Sequence, residues 1–239
     1  MRTLVIIPTY NEAENIGTIT DGVLTHRPDV EILIADDASP DGTGEIADKL
    51  AAVDPRIHVL HRAGKEGLGA AYRAGFAWGL ERGYDVLVEM DADGSHRPED
   101  LGSLLDQAER GAPLTIGSRW VRGGSVVNWP WHRELLSRGA SLYSAIMLGL
   151  GVKDVTAGFR AFRRETLEAI DLDAVESQGY CFQIDMTRQV RRAGLDVVEV
   201  PVVFVERVHG QSKMSFDIVK EALTRVTVWG LQRWNPFRR

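Results

Sequence analysis

At 239 residues, 44% of them hydrophobic and 26% charged, the chain has room for one large core and the make-up of an ordinary water-soluble globular protein. A net charge of −6 argues against the basic footprint of a nucleic-acid binder. The single cysteine, Cys181, rules out a disulfide framework and a cysteine-based zinc site, and it fits a reducing cytoplasm.

Thr3–Pro8 is predicted as a strand, entered directly from Met1-Arg2 with no cleavable signal pattern. Asn11 stands three residues before Glu14, a capping pattern that predicts a helix to His26. Val30–Ala35 is a second strand, closed by Asp36-Asp37 and the turn Ser39-Pro40-Asp41-Gly42. A helix to Val53, a strand at Arg56–Leu60 and a helix over Gly67–Arg82 follow. Tyr84–Met90 is an apolar run that ends in Asp91-Ala92-Asp93-Gly94-Ser95, two carboxylates one residue apart just before a glycine turn. Pro98 predicts the first turn of another helix, and Ala112–Gly117 a further strand.

The second half is less regular. Trp120–Trp131 is predicted as a loop rich in Gly and Trp, Arg133–Leu148 as a helix, and Asp154–Arg160 as a polar loop. Tyr180–Arg192 should be helical, Leu195–Phe204 a strand, Glu206–Met214 a loop and Phe216–Gln232 a last helix. The longest stretch without a charged side chain, Gly139–Val152, has 14 residues, where a spanning helix needs about 20. The expectation is a chain that does not cross a membrane by itself.

Strands alternating with helices predict an α/β fold: a mostly parallel central sheet with helices on both faces. Ligands of such sheets bind outside the carboxyl ends of the strands. Tyr10, Asn11, Glu12, Asp36, Asp37, Asp91 and Asp93 all fall at such ends. Hard cations take carboxylate oxygens and keep positions open for water and substrate phosphates, so Asp91-x-Asp93 is a candidate divalent-metal site for a nucleotide diphosphate.

Other patterns are weaker by themselves. Gly67-Leu68-Gly69-Ala70-Ala71-Tyr72 begins like a dinucleotide fingerprint, but Tyr72 replaces the last glycine and the first βα turn holds none. Asp36-Asp37 reads either as a turn cap or as an acceptor for a nucleobase or ribose hydroxyls. Arg207-Val208-His209-Gly210-Gln211-Ser212-Lys213 is either a solvated loop or a clamp on phosphate with Gly210 as hinge. Arg119 and Arg133 bracket the Trp loop and suit a second anion, or are surface charges. His96, His132 and His209 receive no role. In the last helix Phe216, Val219, Leu223, Val226 and Trp229 form one apolar stripe. From Lys213 onward six basic residues face two acidic ones. With Trp229, Trp234 and Phe237 alongside, that charge reversal suits either packing on the domain or an interfacial membrane contact.

In order and spacing, Pro8-Thr9-Tyr10-Asn11-Glu12, Asp36-Asp37-Ala38-Ser39-Pro40-Asp41-Gly42-Thr43, Gly67–Tyr72 and Asp91-Ala92-Asp93 resemble an inverting family 2 glycosyltransferase of the GT-A (Rossmann-like) fold. Gly117-Ser118-Arg119, Gly158-Phe159-Arg160, Phe182-Gln183-Ile184 and Gly210-x-Ser212-Lys213 are similar to the polyprenyl-phosphate mannosyltransferases, the dolichyl-phosphate mannose synthases. The resemblance implies GDP-mannose as donor, a polyprenyl or dolichyl phosphate as acceptor, and Mg²⁺ or Mn²⁺ as cofactor. It implies that Pro8, Tyr10, Glu12 and Asp37 line the nucleoside pocket and that Asp91 and Asp93 hold the metal. Arg119, Arg133 and Ser137 would grip the acceptor phosphate, and Arg207 and Lys213 would close on the donor diphosphate.

Two positions depart from the pattern: Ser95 stands where some relatives have Gln, and Asp185 where many have Glu. By the same resemblance residues 1–214 form the catalytic domain, with 215–239 as an amphipathic helix and basic tail. The chain would then sit peripherally on the cytoplasmic face of the membrane, with a membrane-anchoring partner protein in some cases, because some members append membrane helices that this chain lacks. The rival readings are a UDP-glucose-dependent polyprenyl-phosphate glucosyltransferase, a sugar nucleotidyltransferase, and a non-catalytic nucleotide-binding module.

Overall fold

The computed structural model describes residues 1–175, 180–206 and 216–234. Strands β1 (Thr3–Thr9), β2 (Glu31–Asp36), β3 (Ile57–His61) and β4 (Val86–Glu89) alternate with helices α1 (Ile16–His26), α2 (Thr43–Val53) and α3 (Leu68–Glu81). A 3₁₀ turn at Pro98–Asp100 leads into α4 (Leu101–Glu109), followed by β5 (Leu114–Ser118), β6 (Ser125–Val127) and α5 (Trp131–Leu148). Then come β7 (Arg160–Arg163), α6 (Arg164–Glu168), α7 (Tyr180–Arg192), β8 (Val197–Pro201), β9 (Val203–Val205) and α8 (Phe216–Trp234).

Seven strands form one sheet in the order β3-β2-β1-β4-β7-β5-β8, and β6 and β9 form a parallel two-stranded ribbon. All pairings of the large sheet are parallel except those of β7, which runs antiparallel to both β4 and β5. The expectation of a mostly parallel sheet therefore holds, with one reversed strand, β7, in its interior. The two-residue period of β1 sorts its side chains between two cores. Leu4 and Ile6 join Tyr72, Phe76, Leu87 and Phe162 on one face. Val5 and Ile7 join Ile16, Val23, Leu101 and Leu105 on the other. Helix α3 lies unusually close to the sheet: a Cβ built on Gly75 would sit 2.6 Å from Ile6 Cγ2, and one on Gly79 2.5 Å from Leu87 Cδ2. Only glycine allows that approach.

Four local expectations change, the first at Trp120–Trp131, where the predicted loop holds strand β6. Asn11 adopts the left-handed region at φ 59° and does not cap α1, which begins at Ile16 with Asn15 as its cap residue. The run Leu195–Phe204 divides at Val202, whose N–H donates to the Ser118 carbonyl; its first part joins the large sheet and its second the ribbon. The predicted loop ending at Arg160 runs into β7, where Glu89 pairs with Arg160 and Val86 with Arg163.

Candidate active site

Because β1, β2 and β4 are parallel neighbours, Tyr10, Asp36-Asp37 and Asp91-Asp93 emerge side by side at one sheet edge. The antiparallel course of β7 brings its beginning, Gly158-Phe159-Arg160, to the same edge.

The two adjacent acids of β2 have different tasks. Asp36 is buried and accepts hydrogen bonds from Thr9 Oγ1 at 2.9 Å, Ser39 N at 3.0 Å and Ser39 Oγ at 2.6 Å, which ties the first two strand ends together. Asp37 is ion-paired to Arg62, whose other terminal nitrogen reaches Glu66 at 2.7 Å. Burial pushes the Asp37 carboxyl up, and the Arg62 charge pulls it back part of the way. Lys65 Nζ lies 4.2 Å from the centroid of the Tyr10 ring. The segment 62–66 thus covers Tyr10 and Asp37 with two cations that the sequence reading passed over. Their position at the end of a short strand, just before Gly67, was the available signal. Glu12 accepts from the Asn15 amide at 2.8 Å and donates its backbone N–H to Thr43 Oγ1 at 3.0 Å. Pro8 stands beside Ala35 in the parallel register.

The Asp91–Ser95 turn is set from below by a histidine. His96 is buried, stacks on Phe159 with ring centroids 5.0 Å apart, and accepts the Asp91 backbone N–H at Nδ1 at 3.0 Å. Burial lowers its pKa, so the ring is neutral near pH 7 with its proton on Nε2, which faces Asp91 Oδ2 at 3.9 Å. Tyr72 donates to Asp91 Oδ1 at 3.3 Å, and burial followed by the nearby Asp91 charge raises the phenol well above its ordinary value. Asp91 is one-third exposed, at 33%, and among the described residues its carboxylate accepts from the neutral Tyr72 phenol and pairs with no lysine or arginine. Asp93 Oδ1 accepts the Ser95 N–H at 3.0 Å, and the buried Ser95 Oγ has no hydrogen-bond partner among the described residues. No cluster of three or more His, Cys, Asp or Glu side chains suited to a metal occurs among the described residues. The pair of carboxylates at this turn, Asp91 with no counter-cation among the described residues, fits a hard divalent ion that takes its remaining ligands from water and phosphate.

Directly behind this turn, Glu89 and Arg160 are fully buried partners in the sheet register. Arg160 donates to the carbonyls of Ala157, Val155 and Gln183 and to Thr187 Oγ1, pinning the loop before β7 against α7. Desolvation drives the Glu89 carboxyl up to about 8, with the Arg160 charge offsetting part of it, and neither carboxyl oxygen makes a hydrogen bond among the described residues.

Beyond β5 lies an apolar cavity of about 580 Å³ between α5, α7 and α8. Leu135, Leu136, Ala140 and Tyr143 line it from α5, Ile184 from α7, and Ala222, Leu223 and Val226 from α8. Arg119, Arg133, Ser137 and Thr156 supply polar groups in this wall. Arg119 is almost wholly buried: its backbone N–H and Nε donate to Asp154 Oδ2 at 2.8 and 2.7 Å, and Nη2 to Asp154 Oδ1 at 2.6 Å and Thr156 at 3.0 Å. Nη1 makes no hydrogen bond among the described residues, and the group is ringed by Trp120, Trp129 and Phe204. Arg133 packs on Trp129 at 4.2 Å and pairs with Glu206. The structure therefore brings Arg119, Arg133 and Ser137 to one cavity. Arg207, Lys213 and the tail from 235 lie outside the described residues. Asp185 is buried and accepts from Arg188 at 2.7 Å.

Trp131 and Leu135 at the cavity, Leu142 and Ile146 farther along α5, and Leu231 and Trp234 of α8 are exposed, while Val226 is buried. Of the apolar stripe of the last helix, Val226 packs inward and Leu223 is exposed, while the Phe216 and Val219 side chains lie outside the described ones. No helix among the described residues is long and apolar enough to cross a membrane.

The family model of glycosyl transferase family 2 matches residues 4–171. A polyprenol monophosphomannose synthase of Mycolicibacterium smegmatis is 60% identical over 232 residues, covering 97% of this chain and 88% of that protein. An undecaprenyl-phosphate mannosyltransferase of Micrococcus luteus is 60% identical over 243 residues, covering 100% and 98%. Among solved structures, the mannosyltransferase PcManGT from Pyrobaculum calidifontis, in complex with GDP-Man and Mn²⁺, superposes with a TM-score of 0.60 at 20% identity, over 97% of this chain and 63% of that one. That likeness bears out the GT-A architecture. With family model, relatives and fold in agreement, the chain belongs to glycosyl transferase family 2, among the polyprenyl-phosphate mannosyltransferases.

Proposed function

We propose that the chain transfers mannose from GDP-mannose to the phosphate of a polyprenyl lipid, releasing GDP and inverting the anomeric carbon. The observation that carries the acceptor is the apolar cavity with Arg119, Arg133 and Ser137 in its wall. A soluble sugar acceptor has no use for such a wall, whereas an isoprenoid chain needs one and its phosphate needs the cations. The names of the relatives support the lipid and the sugar.

The reaction asks little of the protein by way of proton transfer. A sugar hydroxyl would need a general base. A phosphate monoester, with a second pKa of about 6, is already largely anionic near pH 7. In a single displacement its oxygen attacks the anomeric carbon as the bond to the diphosphate breaks, so configuration inverts. Arg133, with Ser137 and the remaining face of Arg119, orients the attacking phosphate. Tyr10, Glu12 and Asp37 hold the nucleoside, and Arg207 and Lys213 meet the diphosphate. His96 holds the Asp91 backbone N–H and Tyr72 donates to the Asp91 carboxylate. A Mg²⁺ or Mn²⁺ ion held by Asp91 and Asp93 would supply charge neutralisation for the leaving diphosphate. Asp185, turned to Arg188, is not needed as a base. The exposed apolar faces of α5 and α8 support a peripheral seat on the membrane, with the cavity at the lipid surface.

The test incubates the purified chain with a polyprenyl phosphate, Mg²⁺ or Mn²⁺, and GDP-mannose or UDP-glucose in parallel. Sugar transfer to the lipid from GDP-mannose alone is expected. Transfer from UDP-glucose alone would keep the acceptor and correct the donor. Pyrophosphate release from a nucleoside triphosphate would overturn both.

A further inference from the structure

The two guanidinium groups of the cavity have counter-ions of different kinds. Asp154, the partner of Arg119, has no exposed side-chain surface and is held to that arginine by three hydrogen bonds; its own backbone N–H is anchored on Glu199 at 2.9 Å. It is a permanent part of the core. Glu206, the partner of Arg133, keeps 26% of its side chain exposed. It directly follows β9, and its backbone N–H donates to the Val127 carbonyl at 3.1 Å. The preceding residue, Val205, is tied to the Ser95 carbonyl at 3.3 Å, next to the acid turn. The ribbon therefore delivers one carboxylate to the arginine at the cavity wall, and that carboxylate has solvent to move into.

We propose that Glu206 is a specificity-determining residue of the acceptor site: its carboxylate occupies Arg133 until a phosphate monoester displaces it, and it thereby excludes lipid head groups of single charge. The inference rests on the reading of Arg133 as an acceptor-phosphate ligand. The apolar wall takes lipid chains in general, so it cannot tell a polyprenyl phosphate from the phosphodiester lipids of a bilayer. The head group must do so. A monoester carries about −1.5 to −2 charge and three acceptor oxygens at pH 7. A phosphodiester carries one charge and two free oxygens, which is no advantage over the resident carboxylate. Exchange at Arg133 is favourable for the monoester and close to neutral for the diester. Discrimination is built by a competitor already in the site, not by an added contact.

The experiment measures transfer in detergent micelles at varied polyprenyl phosphate, with and without phosphatidylglycerol. In the wild-type chain transfer should be insensitive to phosphatidylglycerol, and its presence secures the underlying reading independently of Glu206. Glu206→Gln keeps shape and hydrogen-bonding capacity but loses the charge. It should lower the acceptor KM about fivefold with kcat nearly unchanged, the pattern of a ground-state competitor removed. It should also make phosphatidylglycerol a competitive inhibitor against the acceptor. Glu206→Asp, which retains the charge, should restore resistance to the phosphodiester lipid. With wild-type transfer in hand, an unchanged or raised KM in Glu206→Gln together with unchanged phosphatidylglycerol resistance would overturn the proposal. So would a Glu206→Asp enzyme as sensitive as Glu206→Gln.

Discussion

The acids of the proposed donor edge and the cations of the proposed acceptor cavity reach the site by different routes. Tyr10, Asp37, Asp91 and Asp93 are each carried by the end of a parallel strand, so the sheet register alone brings them together. Arg119 leaves the end of β5, Arg133 begins α5, Thr156 comes from the loop before β7, and the far wall is α8. Those groups meet only when helices far apart in sequence pack. The donor edge is a product of topology, and the acceptor cavity a product of packing. The first should be intolerant of chemical change and the second of changes in shape.

The largest expected effect falls on the strand ends. Asp93→Ala should cut turnover by about a thousandfold or more, and chelation of the divalent ion should match it in the wild type. Near-normal turnover at saturating Mn²⁺ would break the metal assignment. Arg133→Ala should lower kcat/KM for the lipid phosphate by about 10- to 100-fold while leaving the donor KM in place, as steady-state kinetics with each substrate varied will show. Equal losses for both substrates would erase the distinction between the two regions. Ala140→Phe, which fills the cavity from α5, should raise the KM of a long-chain acceptor by roughly tenfold and spare a short, soluble phosphate ester.

Two smaller tests address the scaffold shared by both regions. Gly79→Ala forces a methyl toward Leu87 and Leu4 and should destabilise the fold by about 1–3 kcal/mol, read from denaturant midpoints. Glu89→Gln should matter through pH. The folded-state pKa of Glu89 is raised from 4.5 to about 8, so the unfolded chain releases this proton first and wild-type stability declines as pH rises across that interval. The variant lacks that decline. Its thermal midpoint should gain on the wild type as pH rises toward 8 and level off above it.

How much of this was legible in the sequence follows the same division. The five strands from β1 to β5 could be read from their apolar runs, and the acids that close two of them place Asp37, Asp91 and Asp93 at the ends of β2 and β4. Strand β7 could not: two of its four residues are arginines, and nothing in the sequence says that Arg160 is buried with carbonyls as its partners. His96 looked like any loop histidine until its ring was found under Asp91. The pairing of Arg133 with Glu206 spans 73 positions and depends on where the ribbon ends. Leu195–Phe204 read as one strand because its apolar pattern is continuous, and the division lies at Val202, which gives its N–H to Ser118 of β5 and accepts the Ser125 N–H of β6 on its carbonyl.

The placement of α8 bears on how the protein is made. Ala222, Leu223 and Val226 close the cavity, and they leave the ribosome after every other described part of the site. Synthesis at about 5–20 residues per second separates the emergence of α5 from that of α8 by several seconds. During that interval the nascent chain holds the strand ends of the proposed donor edge beside an open, greasy trough. Seating α8 closes that trough into the cavity proposed for the lipid, so competence toward lipid waits on the docking of this helix.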